Sequence, residues 1–340
     1  MAHETTAAAD KGGLRRAILF LLAFGCVAAV LVRNALLTND PQAIQRFSLT
    51  TLSLMIEALP FLLIGTVLSA VIDFFVTEES MRRLIPRNRF AAVLCASFLG
   101  MILPTCDCAT VPMVRRLLAK GVPLHAAIAF MLAAPILNPL VLFSTWFAFY
   151  QRPLMIVYRA GFGLLVSVVV GLVFSTLDAR YWTVPQASGS DAEHHAPSRG
   201  GGVLAGAGAL LTHATADFVD IAMYFVVGVL LSSFLQTIVP TQSLSSLGQS
   251  PILSVLVMIL AAFLLSVCSQ ADAFIAQGFF GQFTTGAIVA FLVMGPMIDM
   301  KNTLMLSSLF KKRFLLLLLA YVAVCVFVIG AFVVPAGALR

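Results

Sequence analysis

Charged residues are scarce in this sequence: Asp, Glu, Lys and Arg make up 11% of its 340 residues. A soluble domain carries about 25% charged residues, and the mean hydropathy of +1.01 also excludes a soluble globular protein. Several runs exceed the roughly 18 apolar residues that a membrane-spanning helix needs. We interpret the chain as a multi-pass membrane protein that contacts the lipid bilayer. Its net charge of +6 then reflects cytoplasmic loops, and we expect no nucleic-acid partner.

Signatures of nucleotide, metal and disulfide chemistry are also missing. No GxxxxGK[ST] segment occurs, which excludes a nucleotide-hydrolysing site of that type. No histidine lies near the cysteine clusters in sequence, and a closed tetrahedral metal site needs four ligands. The six cysteines lie in apolar segments, which does not fit a secreted disulfide framework. We therefore expect no enzyme activity, no cofactor and no metal.

The apolar segments indicate the domain plan. They run over roughly 17–37, 48–76, 90–105, 122–150, 154–177, 203–239, 251–268, 285–308 and 313–335. A stretch rich in Ser, Gly, Pro and charge divides the chain near its middle and is typical of a flexible linker. We predict an N-terminal tail and first span over 1–40, a first repeat over 41–177, a cytoplasmic linker over 178–202 and a second repeat over 203–340.

The two predicted repeats align without gaps. The segment EALPFLLIGTVLSAVIDFFV at 57–76 aligns with DIAMYFVVGVLLSSFLQTIV at 220–239, and AFMLAAPILN further on aligns with AFLVMGPMID. The matched pairs are Gly65 with Gly228, Ser69 with Ser232, Pro135 with Pro296, and Asn138 with Asp299. Internal repeats of this kind occur in many secondary transporters.

Basic residues indicate how the halves are oriented. If every apolar segment crossed the bilayer from a cytoplasmic N-terminus, the loop MVRRLLAKG would place three charges outside, against the positive-inside tendency. If instead 90–120 and 251–283 enter the membrane, turn and return, the basic clusters share the cytoplasmic face. We predict an all-α membrane protein with a cytoplasmic N-terminus, an inverted repeat, two re-entrant hairpins and one extra N-terminal span. Nine plain crossings are the alternative. Arg33, Arg46, Arg152 and Arg159 are left outside or at the outer border.

The stretch PTCDCATVP, residues 104–112, forms the tip of the first predicted hairpin. Pro104 and Pro112 both interrupt the backbone hydrogen bonds of a helix, and Thr105 or Asp107 can cap the returning helix. Broken helices at membrane depth occur where protein or a water-filled cavity covers them. The tip is therefore expected to face a central site.

Thiols are present at both predicted tips. Cys106 and Cys108 flank Asp107 in the first half, and SVCSQADAF carries Cys268 in the second. A repeat axis would bring the two tips together near the midplane, where soft thiolates suit thiophilic substrates. The other three cysteines are interpreted as small core residues. The predicted substrate-binding residues are Cys106, Asp107, Cys108, Asn138, Cys268, Ser269 and Gln270.

Two acidic residues lie within the predicted membrane segments of the second half. Asp272 belongs to the second tip, and Asp299 follows Pro296 on a kinked helix. Ionisable residues inside the membrane are functional by default, so both are predicted to carry coupling protons. The alternative for Asn138 and Asp299 is that they only satisfy freed backbone groups. Lys301 is expected to point away from Asp299 on the helix.

These motifs resemble a known family. PTCDCATVPMVRRLLAKGVPLHAAIAFMLAAPILNPLVL and CSQADAF, followed by AFLVMGPMIDMKNTLML, are similar to the ArsP-type permeases, a family of predicted bacterial inner-membrane permeases. The resemblance covers roughly 48–335. It implies export of trivalent organoarsenicals by some members, with Cys106, Cys108 and Cys268 as the candidate thiol site. The other motif positions carried over are Pro135, Asn138, Asp272, Pro296 and Asp299.

Three functions fit the sequence. The first is a secondary transporter that exports a thiophilic small molecule and uses protons or a partner for energy. The second is a transmembrane thiol–disulfide relay between opposed cysteines, serving a redox protein partner. The cysteine spacing argues against this relay, because one half carries C-x-C and the other a single cysteine, and neither carries C-x-x-C. The third is a scaffold or channel subunit with incidental thiols. A homo-oligomer is compatible with each.

Overall fold

The computed structural model describes residues 42–75, 85–86, 88–102, 105–176, 182–183, 203–238 and 250–334. The predicted first span, Pro104 and most of the predicted linker lie outside these residues. The described part is helical, and no β-strand occurs in it. This confirms the all-α class.

Twelve α-helices are present in the described residues. They are α1 (Gln42–Phe75), α2 (Arg89–Ile102), α3 (Asp107–Ala119), α4 (Leu124–Leu137), α5 (Pro139–Ala148), α6 (Leu154–Val173), α7 (Val203–Ile238), α8 (Pro251–Leu265), α9 (Asp272–Gly278), α10 (Thr285–Met297), α11 (Met300–Leu306) and α12 (Lys312–Val328). A short 3-10 helix, Phe174–Thr176, extends α6, and a π-helical turn, Ile329–Val333, extends α12.

Within the described residues, five helical stretches are long and apolar enough to cross a membrane. They are Ile44–Ser69, Leu124–Ala148, Leu154–Thr176, Thr285–Leu306 and Lys312–Val333. Their 22–26 residues would span about 33–39 Å as helix, against a hydrocarbon core of about 30 Å. The chain is therefore a multi-pass membrane protein.

Four helices, α2, α3, α8 and α9, are too short to cross the membrane alone. α2 has 14 residues, α3 has 13, α8 has 15 and α9 has 7. At 1.5 Å per residue each covers about 23 Å or less. These lengths suit the arms of the predicted re-entrant hairpins, and the re-entrant arrangement stays a prediction.

Two of the spanning stretches are interrupted at the positions that the sequence alignment matches. α4 ends at Leu137 and α5 begins at Pro139, so Asn138 lies between them. α10 ends at Met297 and α11 begins at Met300, so Asp299 precedes α11 as its N-cap. Each break sets free backbone groups inside the protein.

The first tip differs from its prediction in two details. Pro112 lies inside α3 without ending it, because neighbouring helices can compensate for the single backbone bond that a proline removes. Cys106, not Thr105 or Asp107, occupies the N-cap of α3, and it makes no side-chain capping bond. The Thr105 hydroxyl has no hydrogen-bond partner. The predicted caps were therefore wrong.

Matched glycines and serines on the two longest helices pack against the short helices. α1 contacts α3 and α7 contacts α11. A Cβ on Gly65 would overlap Ala109 in α3, and one on Gly228 would lie 3.0 Å from the Cα of Lys301 in α11. The matched serines bond to the backbone of short helices: Ser69 Oγ donates to the carbonyl of Pro112 at 3.1 Å, and Ser232 Oγ donates to that of Leu265 at 3.1 Å.

Replacing Gly65 by alanine should destabilise the protein by about 1–3 kcal/mol, because the new methyl group overlaps Ala109 and separates α1 from α3. The apparent melting temperature of the detergent-solubilised protein measures this effect. Gly161→Ala in α6 is the matched control, since its added Cβ would meet nothing within 4 Å. An equal loss in both variants would contradict the proposed close packing.

Candidate functional site

The first tip is fastened to the break between α4 and α5. Asn138 Nδ2 donates to the carbonyl of Thr105 at 3.1 Å, and Asn138 Oδ1 accepts from the backbone N–H of Leu140 at 3.0 Å. One side chain therefore caps α5 and satisfies a carbonyl of the tip. Cys106 and Cys108 follow directly, with 6% and 1% of their surface exposed.

The second tip is fastened to the break between α10 and α11. Ser266 ends α8 with a left-handed backbone, φ +46°, and its hydroxyl accepts from the backbone N–H of Lys301 at 3.3 Å. The carbonyl of Cys268 accepts from the N–H groups of Ala271 and Asp272, at 2.9 and 3.0 Å. This loop buries Cys268, which is 5% exposed.

Lys301 connects the first tip to the second half. Its side chain is 3% exposed, and Nζ lies 3.3 Å from Asp107 Oδ2 and 3.6 Å from Asp299 Oδ2. The expectation that Lys301 points away from Asp299 was wrong. The helix is interrupted there: Asp299 has extended backbone (φ −117°, ψ 175°) and accepts from the N–H of Asn302 as an N-cap. Both side chains can therefore face the same interior space.

Arg159 is the site residue that sequence reasoning missed. It is fully buried in α6, and its placement at the outer border of the membrane stays a prediction. NH2 donates to Asp272 Oδ2 at 2.7 Å and to the carbonyl of Ser269 at 2.9 Å, and NH1 donates to Thr145 Oγ1 at 2.7 Å. A lone arginine inside an apolar segment was the available signal, since an intramembrane charge usually has a partner in the protein interior.

Each of the two ion pairs joins the halves, and the acid comes from a different half in each pair. Asp107 and Asp272 are each the first residue of their helix, α3 and α9. Asp107 pairs with Lys301 from the second half, and Asp272 pairs with Arg159 from the first. Helices also pack across the halves in these two places: α3 contacts α11, and α9 contacts α5.

Thiols from both tips lie near the ammonium of Lys301. Cys108 Sγ lies 3.9 Å from Asp107 Oδ2, the oxygen that pairs with Lys301 Nζ, and Ser266, two residues before Cys268, accepts from the Lys301 backbone N–H. Glu57, half-buried on α1, is within electrostatic range of Cys268. The structure thus gathers sulfur, carboxylate and ammonium groups in one closed space.

The remaining predicted residues of the second tip contribute backbone atoms. The Ser269 carbonyl accepts from Arg159, and the Gln270 carbonyl accepts from Ser144 Oγ. Ser269 Oγ has no hydrogen-bond partner. A substrate contact by either side chain stays a prediction.

Five cysteines lie in the described residues, and all carry free thiols: Cys95 and Cys325 are half-buried, and Cys106, Cys108 and Cys268 are buried. Within that same part of the chain, no group of three or more His, Cys, Asp or Glu side chains is arranged to hold a metal ion. The thiol cluster is therefore distinct in burial from the other two cysteines.

Comparison with known proteins identifies the family. An ArsP-type family model, described as a predicted permease, matches residues 43–334. The chain belongs to this permease family. The resemblance expected from the sequence is thereby confirmed, and the chain is a membrane permease.

Two curated relatives of this permease cover most of its length. UPF0718 protein YcgR of Bacillus subtilis (strain 168) is 45% identical over 275 residues, 81% of this chain and 92% of the relative. A protein of Streptococcus mutans serotype c (strain ATCC 700610 / UA159), described as a putative two-component membrane permease complex subunit, is 34% identical over 282 residues, 83% of this chain and 93% of the relative. No solved structure matches the permease.

Arg159→Ala should lower the free energy of unfolding by about 3–5 kcal/mol, because it leaves Asp272 buried without a counter-charge. The double variant Arg159→Met, Asp272→Leu should recover most of that loss, since it removes both charges. Thermal unfolding of the purified variants measures the difference.

Arg152→Ala is the control for the loss of an arginine. Its guanidinium carbon lies 4.0 Å from the ring centroid of Phe280, and the side chain is half-buried. A cation–π contact of this kind contributes about 0.5–1 kcal/mol. A double variant at positions 159 and 272 no more stable than Arg159→Ala would show that the pair does not act as a charge-balanced unit.

Proposed function

We propose that this permease is a secondary transporter that exports thiophilic small molecules, such as trivalent organoarsenicals, through Cys106, Cys108 and Cys268. The observation that carries the proposal is that both thiol-bearing segments contact Lys301 or its acid partner. Cys108 donates to the Asp107 oxygen that pairs with Lys301, and Ser266, two residues before Cys268, accepts from the Lys301 backbone N–H. Soft ligands bind thiolate sulfur in preference to the oxygen and nitrogen ligands of most sites.

The chemistry at such a site is reversible and needs no cofactor. Two thiols and a dihydroxy arsenical, RAs(OH)2, give a dithiolate RAs(SR')2 and two water molecules. Each thiol proton leaves with a hydroxyl group of arsenic, so neither charge nor oxidation state changes. The neighbouring Cys106 and Cys108 side chains offer two sulfurs from one tip, and Cys268 offers one from the other.

Substrate has to reach thiols that are closed off in this structure. At most 6% of the surface of each is exposed, which fits an occluded state of a transporter. An inverted repeat would open the site by rocking one half against the other. The matched glycines and serines, the exchanged α3–α11 and α5–α9 contacts and the predicted cytoplasmic placement of basic loops support that arrangement. We place the protein in the inner membrane with a cytoplasmic N-terminus.

Partners follow from the same proposal. Asp272 and Asp299 were predicted to carry coupling protons, and both are buried at the interface of the halves. The Streptococcus mutans relative is described as a subunit of a two-component membrane permease complex, so by similarity we propose a second membrane subunit for this chain. A homo-oligomer stays an alternative.

Cys106→Ser, Cys108→Ser and Cys268→Ser should each lower the uptake of methylarsonous acid into inside-out membrane vesicles by at least about tenfold, the equivalent of about 1.4 kcal/mol. The reason is the loss of one sulfur from the site. Cys95→Ser and Cys325→Ser are matched controls, because these half-buried thiols lie outside the cluster.

Full transport by the triple serine variant would refute the thiol mechanism. The thiol–disulfide relay predicts a different outcome from the same proteins. It requires a reductant-sensitive disulfide between Cys268 and Cys106 or Cys108 in native membranes, seen as a shift in gel mobility that Cys268→Ser abolishes, and no net uptake of the arsenical.

A further inference from the structure

Five charged side chains are buried in the described residues, and their charges do not balance. The acids are Asp107, Asp272 and Asp299, and the bases are Arg159 and Lys301. With every group ionised, the protein interior carries one excess negative charge. An uncompensated charge in a low-dielectric interior is costly, and such groups are neutralised by a partner, a proton or a bound cation.

The Arg159–Asp272 pair is balanced. One guanidinium meets one carboxylate at 2.7 Å, and Thr145 and the Ser269 carbonyl accept further bonds from the same guanidinium. Good geometry and additional hydrogen bonds are the conditions under which a buried ion pair repays its desolvation. The pair is electrically neutral, although Asp272 Oδ1 and Arg159 Nε have no hydrogen-bond partner.

The Lys301 cluster is unbalanced. Two carboxylates, Asp107 and Asp299, share one ammonium at 3.3 and 3.6 Å. Asp299 Oδ2, the oxygen that faces the ammonium, accepts no hydrogen bond although the residue is 1% exposed. Two carboxylates that share one cation repel each other, and a proton held between them relieves that repulsion.

Among the described residues, the buried bases are Lys301 itself and Arg159, and Arg159 is paired with Asp272. Cys108 and Cys268 face Lys301 as titratable thiols, and Asp272 and Glu57 add only negative charge nearby. The packed helix α8 has no charged side chain, and on the described part of α7, 218 and 221–237, the titratable side chain is that of a tyrosine. The excess charge therefore lies on the two carboxyls at Lys301.

We propose that Asp107, Asp299 and Lys301 form a binding site for one exchangeable proton, shared between the two carboxyls, and that Asp272 is a tether held by Arg159. The role of this cluster as the coupling site of transport rests on the proposed function. It deepens that function by assigning the coupling proton to the pair Asp107 and Asp299, and not to Asp272.

The proton site is linked to the thiols through one oxygen. Cys108 Sγ donates to Asp107 Oδ2, and the same oxygen contacts Lys301 Nζ. A ligand that takes the thiol proton removes this donor from the carboxylate and changes its affinity for the shared proton. By linkage, proton occupancy then changes the affinity of the thiol for its ligand.

Infrared difference spectroscopy of the purified full chain tests the proton site without any substrate. Near neutral pH the wild type should show the carbonyl stretch of a protonated carboxyl. Asp107→Asn or Asp299→Asn should each abolish the band, because one carboxylate then balances Lys301. Lys301→Gln should strengthen it, because two carboxyls without a cation hold a second proton.

Asp272→Asn and Glu57→Gln are the matched controls, and the band should survive in both. The proposal is overturned if the wild type has no such band, if the band survives in both Asp107→Asn and Asp299→Asn, or if Asp272→Asn or Glu57→Gln removes it. Because no arsenical is present, these results stand even if the permease moves another substrate.

The coupling role is read from the pH profile of transport. In inside-out vesicles, Asp299→Asn should flatten the pH dependence of the apparent KM for methylarsonous acid. Asp272→Asn should lower the maximal rate and leave that pH dependence in place. A flattened profile in Asp272→Asn and a normal one in Asp299→Asn would reverse the assignment.

Discussion

Backbone groups set free by broken helices must find partners inside the protein, because lipid offers none. In the first half, Asn138 satisfies both the start of α5 and the carbonyl of Thr105. In the second, the hydroxyl of Ser266 accepts from the N–H of Lys301. Each tip is thereby held against the break of its own half. These bonds fix the segments that carry Cys106, Cys108 and Cys268, so the fold and the candidate site depend on the same bonds.

Local patterns in the sequence predict much of this arrangement. Apolar runs predict the spanning helices, Asn138 and Asp299 mark the breaks that follow α4 and α10, and the C-D-C motif marks the first tip. The ion pairs were not predictable in the same way, since Arg159 and Asp272 are joined only by tertiary packing. Lys301 illustrates a second reason: helical periodicity fails where the helix is interrupted, and that interruption brings Lys301 to Asp299.

The two crossed ion pairs differ in geometry and in charge balance. Arg159 is a planar donor that forms three bonds at 2.7–2.9 Å, which suits a fixed contact. Lys301 is a point charge at 3.3 and 3.6 Å from two competing acids. A shared cation can move between acids at little cost, whereas separating Arg159 from its single acid leaves two desolvated charges. The protein therefore joins its halves by one rigid and one adjustable contact.

In the transport cycle that we propose, access to the thiols requires that one of these contacts yields. α9 is held to the first half by Arg159 and by Ser144, which donates to the Gln270 carbonyl. α3 is joined to the second half through Lys301, and its close contact with Gly65 ties it to α1 of its own half. If the halves separate at Lys301, its ammonium keeps an acidic partner in either direction. Asp299 precedes the helix that carries Lys301, and Asp107 lies on the opposite half. Opening on the α3–α11 side consequently costs less electrostatic energy than opening on the α5–α9 side.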